Sequence, residues 1–420
     1  TVPAGVTSFT VTVPTTLDTI DEGASETYDL SVGGVAAVGT ITDDDAAPTI
    51  NTVEPGIPGV GDDLVTEGTN LVYNVGLTNA SSVDTTYTYS LGGGTAVASD
   101  YGAPVFSNGV TLLGTTLTVP AGVTNFTVTV PTTADAVAGE PNETVPLTIG
   151  GVTGIGGIID TTGAPTIASV TDDAQLEGTD VVHTVTLSGV SASPTVYSVS
   201  LVDGTATGGT DYTNTLTNAS FTNGVTISGG TITVPAGVTS FTVTVPTTLD
   251  TIDEGASENY TLNVGTASGT GTITDDDAAP TVVSVTNDTE VEGTSLVHTV
   301  TLSNPSASIT TQPIALGGGT ATAGGVDFDE TGLTFTNGVT LAVGVLTIPA
   351  GVTSFDITVP TNDDTIDESD ESYNFSVGGV AAVGTITDDD GAPTIASVTN
   401  DTEIEGTDLI HTVTLSNASS

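Results

Sequence analysis

The chain contains no lysine and no arginine. Its 51 acidic side chains therefore lack any basic partner, and the formal charge is -51 with the three histidines neutral. Self-repulsion on that scale opposes compaction unless cations enter from solution, and it argues against nucleic acid and anionic membrane as partners. Cysteine, methionine and tryptophan are missing as well. That removes a disulfide framework, thiolate metal sites and thiol nucleophiles. Aromatic residues make up only 4% of the chain, so any core must be built mainly of Val, Ile and Leu. No run approaches the roughly 18 apolar residues of a membrane span, so no membrane insertion is expected, and no signal peptide stands out. The sequence opens at Thr1 in mid-pattern, as expected of a window cut from a longer chain.

What is present points to folded matter. Charged residues are 12% of the chain and hydrophobic residues 37%, unlike a disordered acidic tail, which has too little apolar content to build a core. Self-similarity decides the organisation. The tetrapeptide VPAG or IPAG places proline at Pro3, Pro120, Pro235 and Pro349. The tripeptide APT starts at Ala47, Ala164, Ala279 and Ala392, and a Glu-Gly pair at Glu67, Glu177, Glu292 and Glu405. One unit is about 115 residues, the size of a single sandwich domain. The expected boundaries are the back half of a repeat at 1–46, whole repeats at 47–163, 164–278 and 279–391, and the opening of another at 392–420.

No repeat shows a helical period. Segments such as His183–Leu187, Thr231–Pro235 and Phe241–Pro246 alternate apolar with polar residues and are rich in β-branched ones, which predicts half-buried strands. Asn108-Gly109, Asn223-Gly224 and Asn337-Gly338 signal type I′ turns and, with them, small hairpins. Within 164–278 the pattern predicts strands near 166–171, 180–188, 195–202, 231–235, 239–246, 258–264 and 270–274. Phe241 and Tyr260 are the expected core aromatics, recurring as Phe9/Tyr28 and Phe355/Tyr373. The fold class expected is all-β, a tandem array of immunoglobulin-like Greek-key β-sandwich domains.

The acids are not spread evenly. The stretch Leu249–Thr281 carries Asp250, Asp253 and Glu254, then Asp275, Asp276 and Asp277 after one hairpin's worth of strand. The same arrangement occurs as Asp18, Asp21 and Glu22 with Asp43, Asp44 and Asp45, and again as Asp363, Asp364 and Glu368 with Asp388, Asp389 and Asp390. In an up-and-down succession of strands every second connection lies at the same pole. Glu177, Asp211, the Asp250–Glu254 segment and the Asp275–Asp277 run therefore meet at one end of the repeat. Two like charges about 4 Å apart repel by about 4 kcal/mol at an effective dielectric near 20. Such carboxylates must protonate, splay apart or bind metal, and an all-oxygen donor set suits Ca²⁺. The bland alternative is a set of solvated acidic loops.

The combination of EGT at Glu177, GTATGGTDY at Gly204–Tyr212, VPAGVTSFTVTVP at Val234–Pro246, LDTIDEGASE at Leu249–Glu258 and GTITDDD at Gly271–Asp277 resembles the Calx-β domain. The resemblance extends over essentially the whole chain. It implies calcium held by loops at one pole of each sandwich, as in sodium–calcium exchangers and in tandem arrays of bacterial and cyanobacterial surface proteins of adhesin type. The ligands it implies are Glu177, Asp211, Asp250, Glu254 and Asp275 to Asp277, with the Ile252 carbonyl as an extra. For the following repeat it implies Glu292, Asp327, Asp363, Asp364, Glu368, Glu371 and Asp388 to Asp390. The repeat at 47–163 departs from the pattern. Ala138 and Gly139 stand where Asp253 and Glu254 would, Thr161 and Thr162 replace two carboxylates, and Asp100, Asp135 and Asp160 remain. That pole is expected to bind calcium weakly or not at all and to leave a softer joint near Gly163.

No nucleophile has a base partner, and His183, His298 and His411 recur singly on an alternating strand, so no enzyme is expected. The triplet is followed almost at once by APT, which sets the expected metal at the seam with the neighbouring repeat. The reading is a calcium-stiffened extracellular or cell-surface stalk, structural or adhesive. The alternatives are a filament or sheath in which copies associate, and an intracellular calcium sensor. The tandem repetition and the charge count against the sensor.

Overall fold

The computed structural model describes residues 1–23, 25–56, 64–255 and 257–419, so Ala256, inside the Leu249–Glu258 motif, lies outside the described residues. Two compact units are formed, one from Thr1–Ala168, Val185–Ser198 and Thr222–Phe241, the other from Ser169–Thr184, Val199–Phe221 and Thr242–Ser420. The division runs through the third repeat of the sequence. Among the described residues the only helical piece is a single 3-10 turn, Asn218–Ser220, and no helix is long and apolar enough to cross a membrane.

In the first unit, residues 47–163 form two facing sheets. One has the order Thr111–Leu113, Thr116–Val119, Thr85–Leu91, Glu143–Ile149, Val152–Ile159, Leu64–Thr66. The other has the order Ile50–Pro55, Asn70–Leu77, Asn125–Pro131, Val105–Phe106. Alternation builds the core. In Asn70–Leu77, Leu71, Tyr73, Val75 and Leu77 turn inward while their neighbours are partly exposed. They pack against Phe126, Val128, Val145 and Leu147. In the second unit, residues 279–391 repeat the arrangement. Val282–Val285, Leu296–Leu302, Ser354–Val359 and Thr334–Phe335 face a six-stranded sheet that runs from Asp288–Val291 to Thr340–Ala342. The fold is thus all-β, with immunoglobulin-like Greek-key sandwiches in tandem.

Three features differ from the pattern read in the sequence. Where one opening strand was expected near 166–171, the chain forms Ile167–Val170 and then a separate strand, Asp173–Leu176. The second strand pairs in parallel with Ala267–Thr274, Asp173 lying opposite Gly271. Asp173 clamps this crossing by accepting from the Val182 amide at 2.8 Å, as Asp288 accepts from Val297 at 2.6 Å. Next, the Asn-Gly turns have the expected geometry, with φ of 54° at Asn108 and 75° at Gly109. They are corners, not hairpins. Val105–Phe106 pairs with Asn125–Pro131, whereas Thr111–Leu113 pairs with Thr116–Val119 in the other sheet. Finally, Phe9 is 56% exposed instead of buried, and Tyr28 is half-buried. Among the described residues of 1–46 the only ladder within the segment is Glu26–Val32 with Val35–Ile41, and no second sheet of the segment covers these rings.

Two of the three histidines are core residues, whereas His411 is exposed. His183 and His298 are fully buried. Nδ1 of His298 lies 2.7 Å from the Thr286 carbonyl and must carry the proton, so Nε2 accepts from the Tyr373 hydroxyl at 2.9 Å. His183 makes the same pair of bonds, to Thr171 at 2.7 Å and Tyr260 at 3.1 Å. Each tyrosine ring lies flat over a glycine of the next strand: a Cβ at Gly384 would come within 2.2 Å of Tyr373, and one at Gly271 within 2.2 Å of Tyr260. In 47–163 the partners are exchanged. Tyr73 holds the histidine position, Val145 the tyrosine position, and the Tyr73 hydroxyl bonds the Val145 carbonyl. One large ring fills the slot from the opposite strand.

One two-residue hairpin in 279–391 joins Thr340–Ala342 to Val345–Ile348 through Val343 and Gly344, with φ of 48° and 75°. A β-branched residue is poorly suited to the left-handed region. Val343 is fully exposed, so packing does not compensate. Val343→Asn is expected to stabilise this sandwich by about 1 kcal/mol, read from the denaturant midpoint at unchanged m-value.

Candidate metal centre

The acidic loops are shaped by their own carboxylates before any ligand is considered. Asp250 Oδ1 accepts from the Ile252 amide at 2.7 Å and turns the chain. Asp18, Asp135 and Asp364 do the same at 2.8, 2.7 and 2.7 Å. The first aspartate of each triplet then staples this loop to the end of the last strand. Asp275 Oδ2 accepts from the Glu254 and Gly255 amides, both at 3.0 Å, and Oδ1 from the Asp277 amide at 2.9 Å. Asp43 repeats the pattern with Glu22, Gly23 and Asp45, and Asp388 with Glu368 and Asp390. These amide bonds, led by that from Asp45, hold Asp43 below the ordinary carboxylate range.

With the loops stapled, acids from separate connections converge. Oxygens of Glu177, Asp250 and Asp277 lie within 4.8 Å of one another, and so do those of Asp211, Glu254 and Glu258. In the following repeat Glu292, Asp363 and Asp389 form such a group. Glu292 also lines one cleft with Asp327, Glu368, Glu371 and Asp388. In residues 1–46, Asp43, Asp44 and Asp45 cluster, and they share a cleft with Asp18, Glu22 and Glu26. Asp276 and Asp364 sit at the same poles, as their charges act on Glu177 and Glu292. Asp390 adjoins Asp364 and Asp363. Asp253 and Asp21 turn instead towards the next repeat. Ser306 Oγ donates to Asp253 Oδ2 at 2.9 Å, and Ser81 Oγ lies 3.1 Å from Asp21 Oδ2.

The donor set is incomplete as it stands. Glu177 is only 5% exposed, yet its Oε1 has no hydrogen-bond partner; Asp277 Oδ2 and Glu258 Oε2 are buried without one too. Glu292 Oε1 and Asp390 Oδ2 repeat the first pair one repeat further on. Buried carboxylate oxygens without donors are costly, and a cation relieves them. All donors are oxygen and most are carboxylate, which fits a hard divalent ion such as Ca²⁺. Burial, reinforced by the Asp250 charge, pushes Glu177 up to about 7. Burial and Asp364 do the same to Glu292, and burial and Glu258 to Glu254, each to about 7. Glu258 and Glu371 are raised by burial and then by a hydrogen bond shared with Asp211 and Asp327.

Glu258 is the residue the sequence reading passed over. Its signal was available, since Glu26, Glu143, Glu258 and Glu371 open corresponding strands. The same residue matters in 47–163, whose pole is better furnished than expected. Glu140 joins Glu67 and Asp135 within 4.8 Å, and Asp100, Glu143 and Asp160 line the same cleft. Asp160 survives there as the staple, accepting from the Glu140 amide at 3.0 Å and the Thr162 amide at 2.6 Å.

No protein-family model matches this chain, and no curated protein matches it. Among solved structures, it is similar to the calcium binding domain CBD12 of CALX1.1, at 15% identity and a TM-score of 0.22 over 50% of this chain and 79% of that one. It is also similar to the titin I-band fragment I67–I69, at 12% identity and a TM-score of 0.23 over 82% and 99%. A third likeness is the ICAM-5 D1–D4 ectodomain fragment, at 12% identity and a TM-score of 0.24 over 86% and 84%. None of these likenesses carries an argument about the site.

The raised carboxylates set a sign for pH dependence. Glu177 and Glu292 hold protons more tightly folded than unfolded, so the metal-free fold keeps their contribution at acid pH and loses it as pH rises through about 7. The metal-free thermal midpoint is therefore expected to fall between about pH 5 and about pH 8. With millimolar calcium the fall should vanish, because the ion holds the ionised form. Circular dichroism melts at stepped pH check both.

Proposed function

We propose that the protein is a calcium-stiffened extracellular or cell-surface stalk, structural or adhesive, made of tandem Calx-β-type sandwiches. The observation that carries this reading is the pair of buried, partnerless carboxylate oxygens, on Glu177 and Asp277 and again on Glu292 and Asp390. They lie at poles whose loops also touch the next repeat, through Asp253 and Ser306. Calcium there would bridge Glu177, Asp250 and Asp277 and, beside them, Asp211, Glu254 and Glu258. It would neutralise charge that no lysine or arginine offsets. Binding to the folded form alone stabilises it by about 2.7 kcal/mol when free ion is 100 times the dissociation constant. Extracellular modules commonly bind in the ~0.1–1 mM range, where calcium outside cells saturates them and calcium inside does not. The tandem repetition and the charge of -51 favour the stalk over an intracellular sensor.

A filament or sheath is the second reading, and the sheet edges favour it. Thr111–Leu113 and Thr340–Ala342 are edge strands without a charged residue, and Leu113 is 87% exposed. Uncharged edges permit lateral pairing of copies. Electron microscopy separates single threads from ordered bundles.

Equilibrium dialysis is expected to show calcium uptake by the chain, and small-angle scattering a maximum dimension that falls on chelation. Glu177→Gln combined with Glu292→Gln should weaken uptake by roughly tenfold or more per affected pole. Unchanged uptake in the double variant would sink the assignment of these two ligands.

A further inference from the structure

The joints between repeats are built to one plan and differ in one respect. At each, the loop after the fifth main strand runs parallel to a turn of the next repeat. Ile20–Asp21 pairs with Ala80–Ser81, and Val137–Ala138 with Val190–Ser191. Asp253 bridges Ser306, and Ile366–Asp367 pairs with Ala418–Ser419. A backbone bond closes each ladder where a following amide is described: Ser82 to Asp21, Ala192 to Ala138 and Ala307 to Asp253, at 2.8, 2.8 and 2.9 Å. A serine hydroxyl then reaches back. At Ser81 and Ser306 it meets both the carbonyl and the carboxylate of the aspartate. Asp253 immediately precedes Glu254, whose amide the Asp275 staple holds at 3.0 Å, so this clasp adjoins the acidic pole.

The joint between 137–139 and 190–193 has no such carboxylate. Ser191 Oγ donates to the Ala138 carbonyl at 3.0 Å, and Ser193 Oγ to the Gly139 carbonyl at 2.9 Å. The asparagine latch is missing too. Asn79, Asn304 and Asn417 donate to the Ala46, Ala278 and Gly391 carbonyls at 2.9, 2.9 and 2.7 Å, each just past a triplet, whereas Gly189 stands at that place here. The pole behind the joint differs in step. Thr162 holds the position of Asp277, and its hydroxyl donates to Glu67 Oε1 at 3.0 Å. Glu67 corresponds to Glu177, whose Oε1 is partnerless. In this repeat a hydroxyl proton does what a cation would do in the others.

We infer that the joint between residues 137–139 and 190–193 holds without metal, Thr162 and the two serines replacing the ion and the aspartate clasp, while the joints at Asp21/Ser81 and Asp253/Ser306 depend on it. This rests on the proposal that the other poles bind calcium. The array then has a fixed joint set among metal-responsive ones, the opposite of the softer joint its missing acids led us to expect. Any ion held by Glu67, Asp135 and Glu140 leaves the clasp untouched, because the Ser191 and Ser193 hydroxyls donate to main-chain carbonyls and not to a carboxylate.

The test is amide hydrogen exchange in the 420-residue chain, with calcium and with chelator, beside equilibrium dialysis of the same sample. Chelation is expected to speed exchange at Ala307 and Ser82 by about tenfold or more and at Ala192 by less than about twofold. Asp253→Ala should make Ala307 as indifferent to chelation as Ala192. Ala138→Asp with Thr162→Asp should make Ala192 respond; both positions tolerate folding with aspartate in the sister repeats. Calcium uptake with Ala192 and Ala307 accelerating alike would overturn the inference alone. No uptake would overturn the calcium reading and this inference with it.

Discussion

An acidic chain without one lysine or arginine has to find its counter-charges somewhere, and most of the structure around the poles answers to that constraint. Three devices meet it. Main-chain amides are turned onto the first aspartate of each triplet, as on Asp275, which accepts from Glu254, Gly255 and Asp277. Crowded carboxyls hold their protons more tightly, as burial and Asp211 make Glu258 do. What remains, on Glu177 and Asp277, finds no donor in the chain, and the proposed function assigns it to a cation. The staple has to come first. Without Asp275 the two acidic connections would swing apart and no cage of donors would persist.

The repeats form a natural substitution series. Replacing two triplet acids by Thr161 and Thr162 did not merely delete ligands. It converted a repulsive contact into a hydrogen bond, Thr162 to Glu67, and left no buried partnerless oxygen at that pole among the described residues. The same repeat exchanges the buried His–Tyr pair for Tyr73 and Val145. Both changes keep volume and hydrogen bonding balanced across two strands, as a close-packed interior requires. The core thus changes as a pair, whereas at the pole Thr162 differs and its partner Glu67 matches Glu177.

The division between pole chemistry and sandwich chemistry follows the strand alternation. Inward positions such as Leu71, Val128 and Leu147 carry no polar atoms beyond the backbone and give each sandwich its core. The poles carry the charge and contribute little apolar burial. A sandwich therefore tolerates large changes at the pole without losing its fold, which is what lets one repeat differ so far from its sisters.

Much of this was legible in the sequence because its determinants are local or periodic. The strands at Val181–Leu187 and Glu258–Val264, and the gathering of acids from separate connections, need only period-two patterning and strand parity. The positive φ at Asn108 and Gly109 follows from residue type alone. Whether that turn closes a hairpin or carries the chain between sheets is set by which strands pair, a matter of non-local contacts. The crossing strand Asp173–Leu176, the recruitment of Glu258 and Glu140, and the serine clasps depend on distances between segments up to a hundred residues apart. Composition and spacing place charge at a pole; only the packed chain decides which oxygens find a donor and which do not.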